Sequence, residues 1–268
     1  MTPLPNAAES RLADVIRALG SNAFPSALHT WLIRCLPFDN IIVTAYFDAG
    51  RPQALYLQSD LPQVFAEIET TYLAGAYLLD PYHDLHLTRA TPGVYRLRDI
   101  APDQFHRSRY FQGYYQATTL LDELTFIAYP TSTTTLNVCL GRDAASNTAF
   151  SARDLAITQR IAPIVTALIA SHWAGLTAVE QPTKETPTDQ LIRAARAQAD
   201  VSLSPRQAET ALLILRGHSS VSIGLRLGVS AQTVKVFRKQ LYSKCRISSQ
   251  AELFALMLPM LKVDLAIS

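Results

Sequence analysis

The stretch "RLGVSAQTVKVFRKQL" (residues 226–241) decides how the C-terminal part of the chain is interpreted. Ser230 is a typical helix N-cap residue, because its hydroxyl can accept a hydrogen bond from a backbone N–H in the first turn. Val234, Phe237 and Leu241 then follow one another at the i, i+3, i+7 spacing of a buried helical stripe. The stretch therefore predicts a short amphipathic helix that begins just after Ser230.

The opposite face of this predicted helix is cationic. Lys235, Val236 and Lys239 share it at positions i, i+1 and i+4, and Arg238 lies beside them. A helix fits the major groove of B-DNA, where lysine contacts guanine edges and phosphates and an apolar side chain contacts the thymine methyl group. The pattern predicts a DNA-reading face. The alternative is a solvated basic face on a small helical domain.

The region around this helix is predicted to be entirely helical. Three stretches start at serine, and a fourth, "SSVSIGLRLG" (219–228), precedes the cationic helix across a glycine-containing turn, the arrangement of a helix-turn-helix. The serine-initiated stretches are "SPRQAETALLILRG" (204–217), "SAQTVKVFRKQLYSK" (230–244) and "SQAELFALML" (249–258). The segment "ELFALMLPML" (252–261) has more apolar residues than one face of a small bundle can bury, which predicts a contact between subunits.

Composition and charge point to a globular, cytoplasmic protein. The 268 residues are 49% hydrophobic and 17% charged, no apolar run reaches the roughly 18 residues of a membrane span, and no signal peptide begins the chain. The net charge is +2, but the residues from Asp200 onward contain nine cations and four anions. Such a basic module favours nucleic acid as a partner. No phosphate loop, nucleophile elbow or paired metal motif is present, so no enzyme and no cofactor is predicted; an enzyme in the first domain is the weaker alternative.

A composition typical of a linker divides the chain. The stretch "VEQPTKETPTD" (179–189) contains two prolines, three threonines and four charges. We therefore predict a first domain over residues 1–178, a linker over 179–190 and a DNA-binding domain over 191–268. The three cysteines are far apart, which argues against a disulfide framework; buried thiols are the expected state and a redox switch is the alternative.

The first domain is predicted to be of the α+β class, with an antiparallel sheet and flanking helices. The pattern gives two helices, two strands, a helix, three strands and a closing helix. In order, these are 9–20, 25–36, 40–49, 52–59, 61–79, 93–100, 121–130, 133–142 and 151–173, with an aromatic-rich helix over 103–117 between the third and fourth strands. Ser151 and Asp154 have the spacing of a capping box at the start of the last helix.

Residues 203–253 closely resemble, without a gap, the four-helix DNA-binding domain of LuxR-type transcription regulators. The resemblance is carried by the whole stretch "LSPRQAETALLILRGHSSVSIGLRLGVSAQTVKVFRKQLYSKCRISSQAEL". It implies that Lys235, Val236 and Lys239 read bases of double-stranded operator DNA. It also implies that Thr233, Arg238 and Lys244 hold phosphates. The protein is expected to bind its operator as a homodimer. Gln207, Gly224, Phe237, Cys245 and Arg246 depart from the family's usual residues.

The order of elements over residues 9–175 is similar to the signal-binding domain of acyl-homoserine-lactone receptors in the same family, a GAF/PAS-like fold. The local likeness is "TYLAGAYLLDPY" (71–82), in which Asp80 precedes a proline. In those receptors this aspartate accepts a hydrogen bond from the amide of the signal. The resemblance implies a pocket for a small-molecule signal or metabolite. The candidate ligand-binding residues are Tyr46, Tyr72, Asp80, Tyr95, Phe111, Asn137 and Cys139.

The signal-binding resemblance has one important departure. The receptors carry a tryptophan that pairs with the lactone carbonyl where this chain has Glu67 and Ile68. We therefore expect a quorum-sensing receptor of the LuxR solo type, whose ligand is not a standard acyl-homoserine lactone. Alternatives are a first domain that only dimerises, Asp80 in an ordinary turn, and a metal site in "YHDLH" (82–86). The aromatic run 110–115, which contains Phe111, is either core or a ligand cage.

Overall fold

The computed structural model describes residues 6–178 and 186–261, which form two compact units. The first unit comprises residues 6–65, 85–100 and 118–178. The second comprises residues 66–84, 101–117 and 186–261. The C-terminal helices therefore share a unit with two segments of the N-terminal region, which a division at a single point in the chain does not anticipate.

Helices and strands are mixed as far as residue 142, and only helices follow among the described residues. In chain order they are α1 (Asn6–Arg17), α2 (Phe24–Cys35), β1 (Asn40–Phe47), β2 (Gln53–Ser59), α3 (Pro81–Leu87), β3 (Gly93–Arg96), α4 (Leu97–Ile100), α5 (Arg109–Gly113), β4 (Asp122–Thr131), β5 (Thr134–Arg142), α6 (Ala152–His172), α7 (Pro187–Ala199), α8 (Pro205–Leu215), α9 (Ser220–Leu227), α10 (Ala231–Cys245) and α11 (Gln250–Met257). This order confirms the predicted class of an α+β sheet region followed by an all-α helix-turn-helix region.

The first unit is built on a five-stranded antiparallel sheet in the order β2-β1-β5-β4-β3. One face of the sheet packs against α1, α2 and α6, and side chains such as Trp31, Phe126 and Ile161 are fully buried in this core. Alternate residues of the same strands point to the second face, because side chains alternate along a strand. The second face therefore displays the candidate ligand-binding residues of β1, β3 and β5.

α6 closes the first unit and begins as predicted. Ser151 Oγ accepts a hydrogen bond from the Asp154 N–H, and Asp154 in turn accepts one from the Ser151 N–H, which completes a capping box. Within residues 6–178 and 186–261, α6 is the single helix long and apolar enough to cross a membrane by length and composition. It packs on β3 and β4 with Val165 and Ile169 fully buried, as the core helix of a globular domain does.

Two helices predicted in the N-terminal region are wrong in detail. Residues 61–79 form separate short turns, a π-helical turn at Ile68–Tyr72 and a 3-10 turn at Ala76–Leu79, and Gly75 lies between them in an extended conformation. A glycine and two adjacent threonines weaken a regular helix here. Residues 103–117 are also broken into short turns around α5, because Ser108 is extended and caps a new helix by accepting from the Phe111 N–H.

Two other boundaries differ from the prediction. Only the first half of the predicted strand over 93–100 is extended, and its second half is the single turn α4. α7 was not predicted and begins at Pro187, so the last residues of the predicted linker are helical; Thr186 and Asp189 form its capping box. Residues 179–185 of the predicted linker lie outside the described residues.

The predicted helix starts of the C-terminal region are confirmed. Ser204, Ser230 and Ser249 each accept a hydrogen bond from a backbone N–H in the first turn of α8, α10 and α11. α9 and α10 are joined by a tight turn in which Gly228 adopts the left-handed conformation with φ of 66°, where a side chain would be strained. The two helices therefore form the helix-turn-helix that the spacing predicted.

Candidate functional site

α10 separates its apolar and cationic residues onto opposite faces. Val234 and Leu241 are fully buried against the rest of the second unit, and Phe237 is half-buried beside them. Lys235 and Lys239 are exposed, and 46% of Val236 is exposed. The face that carries the three predicted base-reading residues is therefore available to a partner, whereas the opposite face holds the helix on the domain.

The predicted phosphate-binding residues are more constrained. Arg238 is half-buried, and its guanidinium lies 3.4 Å from Ser220 Oγ on α9, 3.3 Å from the Tyr242 hydroxyl and 3.4 Å from Gln250 Oε1 at the start of α11. Thr233 Oγ1 lies 2.8 Å from Ser230 Oγ, within the cap of α10. These side chains are thus oriented before any ligand arrives, as preorganised phosphate contacts need to be.

A buried carboxylate forms the centre of the second candidate site. Asp80 has 7% of its surface exposed and accepts hydrogen bonds from the Tyr72 hydroxyl at 2.6 Å and from the Tyr82 N–H at 2.8 Å. Burial raises the pKa of Asp80 to about 6, although hydrogen bonds from Tyr72, Tyr82 and Tyr110 oppose the shift. The site thus holds a carboxyl group that can change its protonation state near neutral pH.

The aromatic run splits into two groups. Tyr110 hydrogen-bonds to Asp80, and Tyr114 stacks on Tyr72 with ring centroids 5.8 Å apart. Phe111 stacks on Tyr115 and also contacts Phe105, with centroids 5.4 Å apart in both pairs. Sequence reasoning therefore selected Phe111 and missed Tyr110. The useful signal is the i, i+4 spacing, which places residues 110 and 114 on one side of the run.

Four of the candidate ligand-binding residues lie on the second face of the sheet, in the first unit: Tyr46, Tyr95, Asn137 and Cys139. Asn137 is completely buried, and within the described residues neither its amide nitrogen nor its amide oxygen has a hydrogen-bond partner. Cys139 Sγ donates to Thr125 Oγ1 at 3.1 Å. The Tyr95 hydroxyl donates to the Thr91 carbonyl at 2.6 Å, so its polar end is bonded locally.

Tyr46 is buried next to a histidine on the same face. Its ring stacks on that of His86 with centroids 5.8 Å apart, and His86 Nδ1 lies 2.7 Å from Thr135 Oγ1. Burial lowers the pKa of His86 to about 4, so the imidazole is neutral at pH 7. The second face is therefore a buried polar surface, rather than a second hydrophobic core.

Comparison with known proteins identifies a family of transcription regulators. The family described as "Bacterial regulatory proteins, luxR family" matches residues 201–257. A protein of Aeromonas salmonicida described as an HTH-type transcriptional regulator in the exeN 3' region is 30% identical over 184 residues, which cover 67% of this chain and 93% of that relative. The chain belongs to the LuxR family of bacterial transcription regulators.

A solved structure similar to this LuxR-family chain agrees with the observed fold. The VqsR LBD domain from Pseudomonas aeruginosa superposes with a TM-score of 0.54 at 23% identity, over 65% of this chain and 100% of that one. At this identity the likeness shows the fold alone. SdiA from Escherichia coli aligns over 96% of this chain and 99% of its own, at 14% identity and a TM-score of 0.42, which is too low to support a conclusion.

One departure from the LuxR-family pattern has a structural role. Gln207 Oε1 accepts a hydrogen bond from the Ser204 N–H at 3.0 Å, which completes the capping box of α8. The same oxygen lies 3.2 Å from Lys244 Nζ. Lys244 is exposed and is held at the end of α10, where the family resemblance places a phosphate contact.

The apolar segment 252–261, for which the sequence predicted a subunit contact, is largely buried within its own unit. Its large side chains are buried within the second unit, including Phe254, Met257 and Leu261. α7 packs against the 3-10 turn Pro259–Leu261 and against α8. α7, which was not predicted, covers the surplus apolar residues, so this composition alone does not require a second subunit; the subunit contact itself stays a prediction.

The "YHDLH" segment also has identified partners. His86 lies on the second face of the sheet, whereas Asp84 binds two arginines of the second unit. No group of three or more His, Cys, Asp or Glu side chains that could hold a metal ion occurs within residues 6–178 and 186–261. All three cysteines are buried and reduced, and burial raises the pKa of Cys35 to about 12.

Proposed function

We propose that this LuxR-family protein is a ligand-responsive regulator that binds operator DNA as a homodimer in the cytoplasm. One observation carries the DNA-binding part of the proposal. Lys235, Val236 and Lys239 form an exposed face on α10, and the buried opposite face anchors the helix in a helix-turn-helix. In such a motif the second helix enters the major groove. The two lysines then contact base edges, and Val236 contacts a thymine methyl group.

The phosphate contacts of the proposal are Thr233, Arg238 and Lys244. The exposed cation Lys244 lies at the C-terminal end of α10 and the half-buried Arg238 near its middle, so they can bind the DNA backbone on either side of the base-reading residues. The dimeric state is proposed from the symmetry of operators, since two recognition helices read two half-sites about one helical turn apart.

Two separate buried polar groups support the ligand part of the proposal, Asn137 in the first unit and Asp80 in the second. A buried carboxamide with no partner at either polar atom is rare in native proteins, and a bound molecule with one donor and one acceptor would satisfy it. Asp80 is a second buried polar group, already supported by tyrosine hydroxyls. The similar VqsR domain is named as an LBD domain, which is consistent with a ligand site in this fold.

The proposed ligand is not a standard acyl-homoserine lactone. Glu67, where the receptors carry tryptophan, accepts a hydrogen bond from Thr71 Oγ1 at 3.1 Å, and Ile68 is buried and has no polar group. Neither side chain can donate a hydrogen bond to a lactone carbonyl, as the indole N–H of tryptophan does. An unpaired carbonyl in a buried site loses binding free energy, so such lactones should bind weakly.

The DNA-binding proposal is tested by selecting operator sequences from a random duplex library and measuring affinity by fluorescence anisotropy. Lys235→Ala and Lys239→Ala should each weaken binding to the selected operator by about 1–3 kcal/mol and broaden the selected sequence. Arg153→Ala, which removes an exposed cation of α6, is the matched control and should change neither. Normal operator affinity in both lysine variants would reject the assignment of α10 to the groove.

The ligand proposal is tested by native mass spectrometry of protein purified from its own host, looking for a co-purified small molecule. Asn137→Leu, which replaces the carboxamide by an apolar group of similar size, should abolish co-purification. It should also raise the melting temperature of the ligand-free protein, because a buried unpaired polar group is removed. If wild type and Asn137→Leu both carry no small molecule and unfold at one temperature, the alternative of a domain that only dimerises is favoured.

A further inference from the structure

Two aspartates from the N-terminal segments of the second unit bind the helix-turn-helix. Asp84 on α3 accepts hydrogen bonds from Arg216 Nη1 at 3.2 Å and from Arg226 Nη2 at 2.7 Å, one on each carboxylate oxygen. Asp103 accepts one from the Ser219 N–H, the N-cap residue of α9, at 2.9 Å. Asp103 therefore lies at the N-terminal end of α9, whereas Asp84 contacts both Arg226 in the last turn of α9 and Arg216, which precedes the helix.

The backbone segments at Leu78 and Gln104 pack closely against Arg216 and Gly217. Arg216, with only 8% of its surface exposed, also donates from Nε to the Leu78 carbonyl at 3.0 Å. The Gln104 N–H donates to the Gly217 carbonyl at 2.9 Å. Gly217 has a φ of 93°, and a Cβ atom there would lie 3.0 Å from the Gln104 carbonyl oxygen. A side chain at position 217 would therefore push the two segments apart.

The donors that Asp84 and Asp103 occupy are of the kind that binds DNA phosphates. A guanidinium pairs with phosphate as it does with carboxylate, and backbone N–H groups at a helix N-terminus favour anions. In a helix-turn-helix the first helix crosses the DNA backbone. The N-terminus of α9 also adjoins Arg238, a proposed phosphate contact, because Ser220 Oγ lies 3.4 Å from its guanidinium.

We propose that Asp84 and Asp103 compete with DNA for the same hydrogen-bond donors. Their carboxylates bind donors on α9 and in the α8–α9 turn, and these donors bind DNA backbone phosphates when the contact opens. The described contact is then the DNA-free state. This proposal rests on the DNA-binding part of the proposed function. It adds a regulatory contact. DNA must break the carboxylate contacts before it binds these donors, so stronger contacts lower the affinity for DNA.

The same contact connects the helix-turn-helix with the Asp80 site. Asp80 and Asp84 are one helical turn apart, and Asp80 Oδ1 accepts from the Tyr82 N–H at the start of α3. Leu78, whose carbonyl binds Arg216, is two residues before Asp80. A ligand that changes the hydrogen bonds of Asp80 acts on the short segment that holds Arg216. The segment 78–84 is therefore the element through which a signal would strengthen or open the contact.

The test measures the affinity of the full chain for a fluorescein-labelled mixed-sequence duplex and for its selected operator. Asp84→Asn/Asp103→Asn should lower the Kd for both duplexes by about tenfold, the effect of losing competing ionic contacts. The control is Asp60→Asn/Asp99→Asn, which removes the same charge from two exposed carboxylates of the first unit and should change Kd by less than about twofold.

A second measurement covers the case in which Asp84→Asn impairs folding by leaving Arg216 without its carboxylate. Asp103 is exposed, so Asp103→Asn alone keeps the fold and should still lower the Kd. In the wild type, hydrogen exchange of residues 101–107 should accelerate when DNA saturates the protein, because the Gln104 N–H loses its partner on Gly217. Unchanged exchange, or equal Kd shifts in the test and control pairs, would overturn the competition. Loss of the effect of Lys235→Ala and Lys239→Ala would instead overturn the DNA-binding function itself.

Discussion

The exposed face of α10 that carries Lys235 and Lys239 differs from the site around Asp80 in where its charges lie. Lys235 and Lys239 are exposed on α10, whereas Asp80 is buried and accepts hydrogen bonds from two tyrosine hydroxyls and a backbone N–H. An exposed cation costs no desolvation in the unbound protein, so its attraction for phosphate remains available to a partner. A buried carboxylate is destabilising unless donors are supplied, so its surroundings must be shaped before a ligand binds.

The contrast teaches which changes each region tolerates. Removal of Lys235 or Lys239 from α10 should leave the fold intact, because both side chains are exposed, and under the proposed function it should weaken DNA binding. Removing a donor from Asp80 should instead destabilise the fold, because hydrogen bonds from Tyr72, Tyr82 and Tyr110 offset the cost of burying this carboxylate. The predictions below concern buried titratable groups, Asp80 and then His218, and finally the cationic residue Arg238 of α10, in order of decreasing size.

The largest expected effect is that of Asp80→Asn. Burial raises the pKa of Asp80 to about 6 from 3.8, so the folded protein holds this proton more tightly than the unfolded chain does. Stability therefore falls as pH rises through this interval, and the variant should escape that loss. We expect Asp80→Asn to be more stable than wild type above pH 7 by at most about 2–3 kcal/mol and to approach it near pH 4. Urea unfolding at several pH values measures the difference.

The same variant should bind its ligand less well. A hydrogen bond to a charged group contributes about 1.5–3 kcal/mol, and Asp80→Asn should lose that amount of affinity for a molecule bound at the Asp80 site. Asp99→Asn, an exposed carboxylate on α4, is the control for both measurements. Lower stability of Asp80→Asn than of wild type at pH 8, together with equal ligand affinity, would reduce Asp80–Pro81 to an ordinary turn.

A second prediction concerns acid. Burial lowers the pKa of His218 to about 4, and the neighbouring cations Arg226 and Arg216 add to the shift. The unfolded chain binds a proton at this residue near pH 6.5 while the folded chain does not, so stability is lost as pH falls from 6.5 towards 4. His218→Gln should reduce this acid loss by about 1–2 kcal/mol at pH 5. His106→Gln, at an exposed position, should leave the pH profile unchanged.

The smallest effect is expected for Arg238→Ala. Loss of one phosphate contact should weaken binding to all duplexes alike and reduce the slope of log K against log salt by about 0.9. Arg238→Lys retains the charge and should keep most of the slope. Since Arg238 contacts Ser220, Tyr242 and Gln250, the alanine variant should also unfold at a slightly lower temperature. A change confined to one operator sequence would make Arg238 a base-reading residue.

Local signals in the sequence were sufficient to place the starts of α8, α10 and α11. Ser204, Ser230 and Ser249 cap helices as predicted, because a cap depends only on residues within one turn of each other. The antiparallel pair β4 and β5 was likewise predicted, since a short turn joins two alternating stretches. The division of α10 into a buried and an exposed face follows from its helical periodicity alone.

The sequence was less informative where contacts are distant in the chain. The broken turns of 61–79 and 103–117 carry apolar residues at spacings that also suit helices, and α7 has a linker-like start. Tyr110 was missed as a partner of Asp80, because thirty residues separate them and only the folded chain brings them together.

By itself the sequence determined the capped helices, the order of strands along the chain and the exposed cationic face of α10, since each depends on neighbours within a few residues. Only the tertiary structure decided that Asp80 is a buried carboxyl among tyrosines, that Asn137 lacks a partner, and that Asp84 binds Arg216 and Arg226. These facts are set by burial and by pairs far apart in sequence. Desolvation and long-range pairing exist only once the chain has folded, so no local pattern records them.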